Sequence, residues 1–165
     1  MVQNGNGLLE YIPGSHTLLT QKNSSIHLEG FSENVRGSIQ EYAENSKSEV
    51  EKGNNFLQWV LTRVFEATED DAADAIVDGA NDLGIDAYLP VDFSDNTIRL
   101  FQSKYGTSHS FEAIAKFKED AKRLLGKDVT KMRPELAQLV TKIKEMNLKI
   151  KCCYVTDKKW STKTI

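Results

Sequence analysis

The sequence predicts a mixed α/β domain with a small sheet, and three observations predict it. Four segments repeat apolar residues at helical spacing and a fifth opens as a capped acidic helix start, two short extended runs flank a turn-rich pentapeptide, and a final β-prone run follows the last helical segment. Their order, α–α–α–β–β–α–α–β, is that of a small mixed sheet flanked by helices. With 165 residues, 39% of them apolar, the chain is long enough to bury one sizeable core.

Residues 1–30 are rich in Asn, Gly and Ser without a clear period and read as a loosely ordered arm ahead of a domain over 31–165. From Ser32 to about Ser46, Val35, Ile39 and Tyr42 recur at helical spacing behind a Ser cap. A second helix is expected from about Ser48 to Ala67, with Phe56, Leu57, Val60, Leu61 and Val64 as its apolar stripe. Thr68-Glu69-Asp70-Asp71 then reads as a capped helix start, its acids in the first turn where the helix dipole favours them, and this helix ends near Val77 before Gly79.

The period then changes from helical to extended. Ile85–Val91 and Thr97–Tyr105 are expected strands, joined as a hairpin through Asp92-Phe93-Ser94-Asp95-Asn96. Ser108 or Ser110 caps a helix with Ile114, Phe117, Ala121, Leu124 and Leu125 inward, closed by Gly126. Pro134 suits the first position of the next helix, whose inner face is Leu136, Leu139, Val140, Ile143 and Met146. Leu148–Val155 is the last strand.

Composition narrows the function classes. No apolar run reaches the roughly 18–20 residues of a membrane span, and the start lacks the basic and apolar blocks of a secretory signal, so the cytoplasm is the default compartment and a membrane partner is not expected. Cys152 and Cys153 are adjacent, so on a strand they face opposite ways and do not bridge each other. With no C-x-x-C and no metal-ligand spacing to His16, His27 or His109, zinc is not expected. The sequence has no Walker loop, G-x-G-x-x-G turn or G-x-S-x-G elbow. The net charge of −3 conceals an asymmetry. Residues 1–98 hold 5 Lys/Arg against 17 Asp/Glu, a balance of −12, whereas residues 99–165 hold 16 against 7, a balance of +9.

The hairpin carries the candidate chemistry. Ile98, Leu100, Gln102 and Lys104 share one strand face, and the apolar run turns polar at its end. A turn centred on Asp95 pairs positions summing to 190, so Asp86 is expected opposite Lys104 and Tyr88 opposite Gln102. A carboxylate and an amide oxygen would suit a hard cation such as magnesium, with Lys104 offsetting charge on a phosphate or an attacking water. The structural alternative is an Asp86–Lys104 ion pair across the sheet edge.

Asp82-Leu83-Gly84-Ile85-Asp86, followed sixteen residues on by Gln102-Ser103-Lys104, resembles the D-x-G-I-D…Q-x-K signature of the PD-(D/E)XK nuclease superfamily, in the Gln variant used by Mrr-like restriction endonucleases. Phe56-Leu57-x-Trp59-Val60-Leu61, Asp78-Gly79 and Phe101–Tyr105 extend the resemblance to the N-terminal nuclease region of AIPR (abortive infection phage resistance) proteins, over about residues 48–156. The resemblance implies a restriction-endonuclease-like fold and a magnesium-dependent endonuclease, with manganese as a substitute, that cuts DNA in restriction or phage defence. It implies that Asp86, Gln102 and the backbone carbonyl of Ser103 hold the metal and that Lys104 is the catalytic lysine. A helix glutamate completes such sites; Glu49 is preferred here because it lies on the face of Phe56 and Val60, with Glu51 and Glu66 as rivals. Asp82 is either a further acid of the site or part of an ordinary turn. The superfamily core has three strands before its central helix, of which this sequence places two.

Lys116, Lys118, Lys122, Arg123 and Lys127, then Lys142, Lys144, Lys149 and Lys151, supply a basic surface that suits a phosphate backbone. With Glu119, Asp120 and Glu145 among them, it equally suits a solvated helix surface. The end at Lys163-Thr164-Ile165 suggests a piece of a longer protein whose C-terminal region adds target recognition or oligomerisation, and paired cutting of two strands would suit a homodimer. Two other functions stay open: a nuclease acting on RNA, and a nuclease-like module that binds nucleic acid or protein without cleavage.

Overall fold

A computed structural model describes residues 25–44, 46–77, 84–107 and 110–158. It is a mixed α/β arrangement of five helices and a three-stranded sheet, in the expected order. The expected loose arm falls largely on residues 1–24, which lie outside the described residues, as do 45, 78–83, 108, 109 and 159–165.

Helix α1, Ser25–Glu44, begins seven residues before the expected Ser32, as Leu28 and Phe31 extend in the sequence the helical spacing of Val35, Ile39 and Tyr42. Helix α2, Glu49–Arg63, starts where expected and is capped by Ser48, whose hydroxyl accepts from the Glu51 amide. It stops four residues short of Ala67. The turn after it places Glu66 at φ 58, and the Ala67 amide donates back to the Leu61 carbonyl. Helix α3, Glu69–Ala75, starts at a Thr68 cap, where the hydroxyl accepts from the Asp71 amide and donates to the Asp71 carboxylate.

Strand β1, Ala87–Asp92, and strand β2, Thr97–Lys104, are antiparallel, and strand β3, Lys149–Thr156, adds parallel to β2, giving the order β1-β2-β3. Between β2 and β3 run helix α4, Phe111–Leu124, a single 3-10 turn, Val129–Lys131, and helix α5, Pro134–Glu145. Ser110 caps α4 by accepting from the Ala113 amide, and Pro134 occupies the first turn of α5. Met146 falls beyond the end of α5 and is exposed rather than on its inner face.

The hairpin register differs from the expected one. Tyr88 lies opposite Leu100 and Ala87 opposite Phe101, so the paired positions sum to 188 and not 190. The turn occupies residues 93–96, with Asp92 accepting from the Ser94 amide and Asn96 at φ 55. The ladder then slips between Leu89 and Asp92, where Pro90 has no amide to donate and stands exposed on an edge strand. On the outer side of β1, Ile76 forms an antiparallel bridge with Ala87, and the Val77 amide donates to the Asp86 carbonyl at 2.8 Å.

The sheet divides the apolar residues into two layers. On one side Ile98 and Leu100 join Phe117, Ala121 and Leu124 of α4 and Leu136, Leu139, Val140 and Ile143 of α5. On the other, Phe101, Ala87 and Leu89 meet Leu57 and Leu61 of α2 and Ala72 and Ala75 of α3. A third cluster, Ile39 with Phe56, Trp59 and Val60, joins α1 to α2, and the Trp59 indole donates to the Ser38 hydroxyl at 3.0 Å. Cys152 and Cys153 take opposite faces as expected, one against each layer, and neither is joined in a disulfide. Burial pushes the Cys152 thiol up, against the opposing charges of Lys118 and Lys122.

The end of the sheet opposite Lys104 is tied by polar contacts between the hairpin and β3. The Lys149 amide donates to the Asn96 carbonyl at 2.9 Å, and Lys151 pairs with Asp95 at 2.8 Å. The Lys151 hydrogen bond holds the Asp95 carboxyl below its ordinary value. Because the folded pKa is depressed, this contribution is complete above the unfolded value near about 4 and is lost as pH falls through the folded value. Lys151→Met is therefore expected to lower the melting temperature at neutral pH and to shrink the loss on acidification. Thermal melts of both proteins from pH 6 downward test this: the two curves should converge in acid.

Candidate functional site

The start of β1 and the ends of β2 and β3 meet at one end of the sheet, which gathers Asp86, Gln102-Ser103-Lys104 and Tyr154-Val155-Thr156. Ligands of sheets with parallel strands commonly bind outside the carboxyl ends of those strands. The apolar ladder ends here: β2 is buried on both faces through Phe101, apart from half-buried Arg99, and half-buried from Gln102 to Lys104.

Asp86 precedes β1 and is half-buried. Its backbone amide donates to the Phe101 carbonyl at 2.8 Å, and its Oδ2 accepts from the Ser103 amide at 2.7 Å. The side chain thus replaces a ladder acceptor, which fixes its orientation against β2. Asp86 sits at the Phe101–Ser103 level rather than opposite Lys104, as follows from the two-position change in register. Among the described residues Lys104 has no ion-pair partner, so the alternative of a cross-strand Asp86–Lys104 pair is not formed.

Gly84 places Gln102. Its φ of +73 is a conformation that other residues adopt at a cost, and a Cβ there would lie 2.8 Å from Gln102 Nε2. The amide nitrogen of Gln102 therefore faces this loop, at a contact only glycine permits. Lys104 follows on the same face by strand alternation and is half-buried. On the other face, the Phe56 ring lies 5.2 Å from Tyr105, and Phe65 meets Phe101 edge-on at 4.8 Å, so α2 braces the strand behind the polar residues.

The helix glutamates have other partners or face solvent. Glu49 opens α2 with its side chain 86% exposed and paired with Lys52 at 2.6 Å. Glu51 accepts from the Lys47 amide, and Glu66 is exposed in the turn after α2. Among the described residues none of the three shares a hydrogen bond with Asp86. Asp78 and Asp82 lie outside the described residues. Among the described residues no three His, Cys, Asp or Glu side chains cluster as metal ligands, so a cation here would rest on the Asp86 carboxylate and neutral oxygens, those of Gln102 and the Ser103 carbonyl.

Two residues of this end escaped the sequence reading. Tyr154 is the parallel partner of Gln102; burial, and then the charge of Asp86, push its phenol up. Asp157 accepts from the Gly106 amide at 2.7 Å, joining the chain beyond β2 to the chain beyond β3. The available signal was the polar end of the last strand, aligned with that of β2. It became readable only with the β2–β3 register.

The basic surface is partly as expected. Lys116, Lys118, Lys122, Arg123 and Lys127 are all exposed, as are Lys142, Lys144 and Lys149. Lys116 and Lys122 pair with Asp120 and Glu119 on their own helix, and Lys151 is held by Asp95. Lys118, Arg123 and Lys127 carry no ion pair among the described residues. No helix of the described residues is long and apolar enough to cross a membrane. No family model matches the chain, and no curated protein or solved structure gives a significant match.

Two substitutions probe this arrangement. Gly84→Ala strains a left-handed residue, at about 1–2 kcal/mol, and displaces the far end of the flexible Gln102 side chain. The protein is expected to fold with a melting temperature a few degrees lower and Gln102 turned out of place, as a crystal structure of the variant would reveal. Among the described residues the Ser103 hydroxyl is buried without a hydrogen-bond partner. Ser103→Ala removes an unsatisfied group and should leave stability unchanged or raise it by about 1 kcal/mol, measured by urea denaturation.

Proposed function

We propose that this chain is a metal-dependent nuclease domain that hydrolyses DNA phosphodiester bonds, with the restriction-endonuclease-like fold of the PD-(D/E)XK superfamily. The observation that carries this reading is the grouping of Asp86, Gln102 and Lys104 at one end of the sheet, with Asp86 oriented by the Ser103 amide at 2.7 Å. The element order supports it. The Ile76–Ala87 bridge supplies a rudiment of the third extended segment that the superfamily carries before its central helix. The likeness to AIPR proteins further points to a role in restriction or phage defence, in the cytoplasm, as part of a dimeric assembly.

The donors fit a hard cation: a carboxylate, an amide oxygen and a backbone carbonyl are all oxygen ligands, of the kind magnesium takes and manganese tolerates. Bound there, the ion would supply Lewis-acid polarisation of the phosphoryl group. The chain's own residues supply the rest. Asp86 is held in one orientation before substrate arrives, and Gln102 is fixed against Gly84. The Lys104 ammonium, without an ion pair among the described residues, offsets negative charge developing on the phosphate. Lys118, Arg123 and Lys127 of the α4 region hold the backbone at a distance from the bond that breaks, a sequence-independent contact.

A second reading, a nuclease-like module that binds without cutting, is favoured by one observation: Glu49 is turned to solvent and paired with Lys52. Cleavage of labelled DNA and RNA, with magnesium, manganese or chelator, separates these readings. The wild type is expected to cut DNA only with metal, and Asp86→Ala and Lys104→Ala to lose at least about 100-fold in rate while remaining folded, Lys104→Ala at the wild-type melting temperature and Asp86→Ala a few degrees below it because the Ser103 amide loses its acceptor. Full activity in either variant, or cutting in chelator, overturns the assignment. Cutting of RNA alone reassigns the substrate, and binding without cutting selects the second reading.

A further inference from the structure

The two parallel strands change character at the same rung. On the face toward α4 and α5 their pairs run Ile98 with Ile150, Leu100 with Cys152, Gln102 with Tyr154 and Lys104 with Thr156. The first two pairs belong to or line the core; the last two are polar. Directly paired residues of parallel strands share a face, so Tyr154 stands beside Gln102 on the side that carries Lys104. Tyr154 is half-buried, and its ring packs against the same core. A tyrosine whose ring is held by a core beside polar neighbours carries its hydroxyl as a directional donor.

We infer that Tyr154 is a further substrate-contacting residue of the site, its phenolic hydroxyl donating to a non-bridging oxygen of the scissile phosphate. The inference rests on the nuclease reading above and extends that site from the hairpin onto β3. The neutral hydroxyl differs in role from Lys104. It supplies a directed hydrogen bond that strengthens as charge builds on the phosphoryl oxygens, without adding a second cation beside Asp86.

Tyr154→Phe keeps the ring and removes the donor. The expected result is a rate lower by about 100-fold at saturating DNA, with melting temperature and metal-free DNA affinity unchanged. Substrates with sulfur replacing one non-bridging oxygen at the cut site identify the contact. The diastereomer that weakens the tyrosine hydrogen bond should slow the wild type more than the variant, and the other diastereomer should slow both equally. A variant that cuts at the wild-type rate, or whose two sulfur effects match those of the wild type, overturns the role of Tyr154 and leaves the nuclease reading standing. A wild type that cuts nothing overturns both.

Discussion

Strand β2 has to be covered on both faces, and the rest of the molecule is arranged to do so. Ile98 and Leu100 face one helical layer and Phe101 the other, all three fully buried. Each side chain of this size contributes about 1.5–3 kcal/mol when removed from water. That demand places α2 and α3 on one side and α4 and α5 on the other, and it makes β1 and β3 the flanks of a strand that is apolar on both faces. The cover stops after Phe101. The three residues beyond it retain backbone pairing to β3 but are only half-buried, so side chains there are rigidly mounted and still reachable.

Much of this was legible in the sequence because it is local. Thr68 and Ser110 cap helices where a hydroxyl precedes a helical period, and Pro134 opens α5. The alternation that separates Cys152 from Cys153 and groups Gln102 with Lys104 needs only the period of a strand. The register was not legible. It depends on a turn over 93–96 and a slip around Pro90, and a two-position change moved Asp86 from Lys104 to the Ser103 amide. Helix ends failed for a related reason: a left-handed Glu66 closes α2 where composition alone favours continuation. Of the candidate site, Asp86, Ser103 and Gln102 were readable from the motif, whereas Tyr154 depends on the pairing of strands far apart in the chain.

The charge asymmetry takes on a structural meaning. Acids of the first part serve largely as helix starts and local partners: Asp71 bonds the Thr68 cap, and Glu69 accepts from Tyr42 at 2.8 Å and from Gln58 at 3.2 Å. Asp86 is the acid oriented into the polar end of the sheet. Basic residues of the second part divide into those already neutralised by Asp120, Glu119 and Asp95 and those, such as Lys118 and Arg123, that face water without an ion pair among the described residues. Counting charges overstates such a surface; pairing has to be subtracted first.

The parallel pairing of β2 with β3 has a kinetic consequence. Every pair in that ladder joins residues 52 positions apart, whereas the hairpin closes between Asp92 and Thr97. Closing the longer loop costs about 2 kcal/mol more chain entropy, before any contact between the strands repays it. Non-local ladders of this kind slow folding and are completed after local ones. Asp86 and the Gln102–Lys104 segment can therefore come together early, in the hairpin. The Tyr154 rung waits for both α4 and α5 to be made and for β3 to dock, so during synthesis the site is finished only when nearly the whole of the described chain is available.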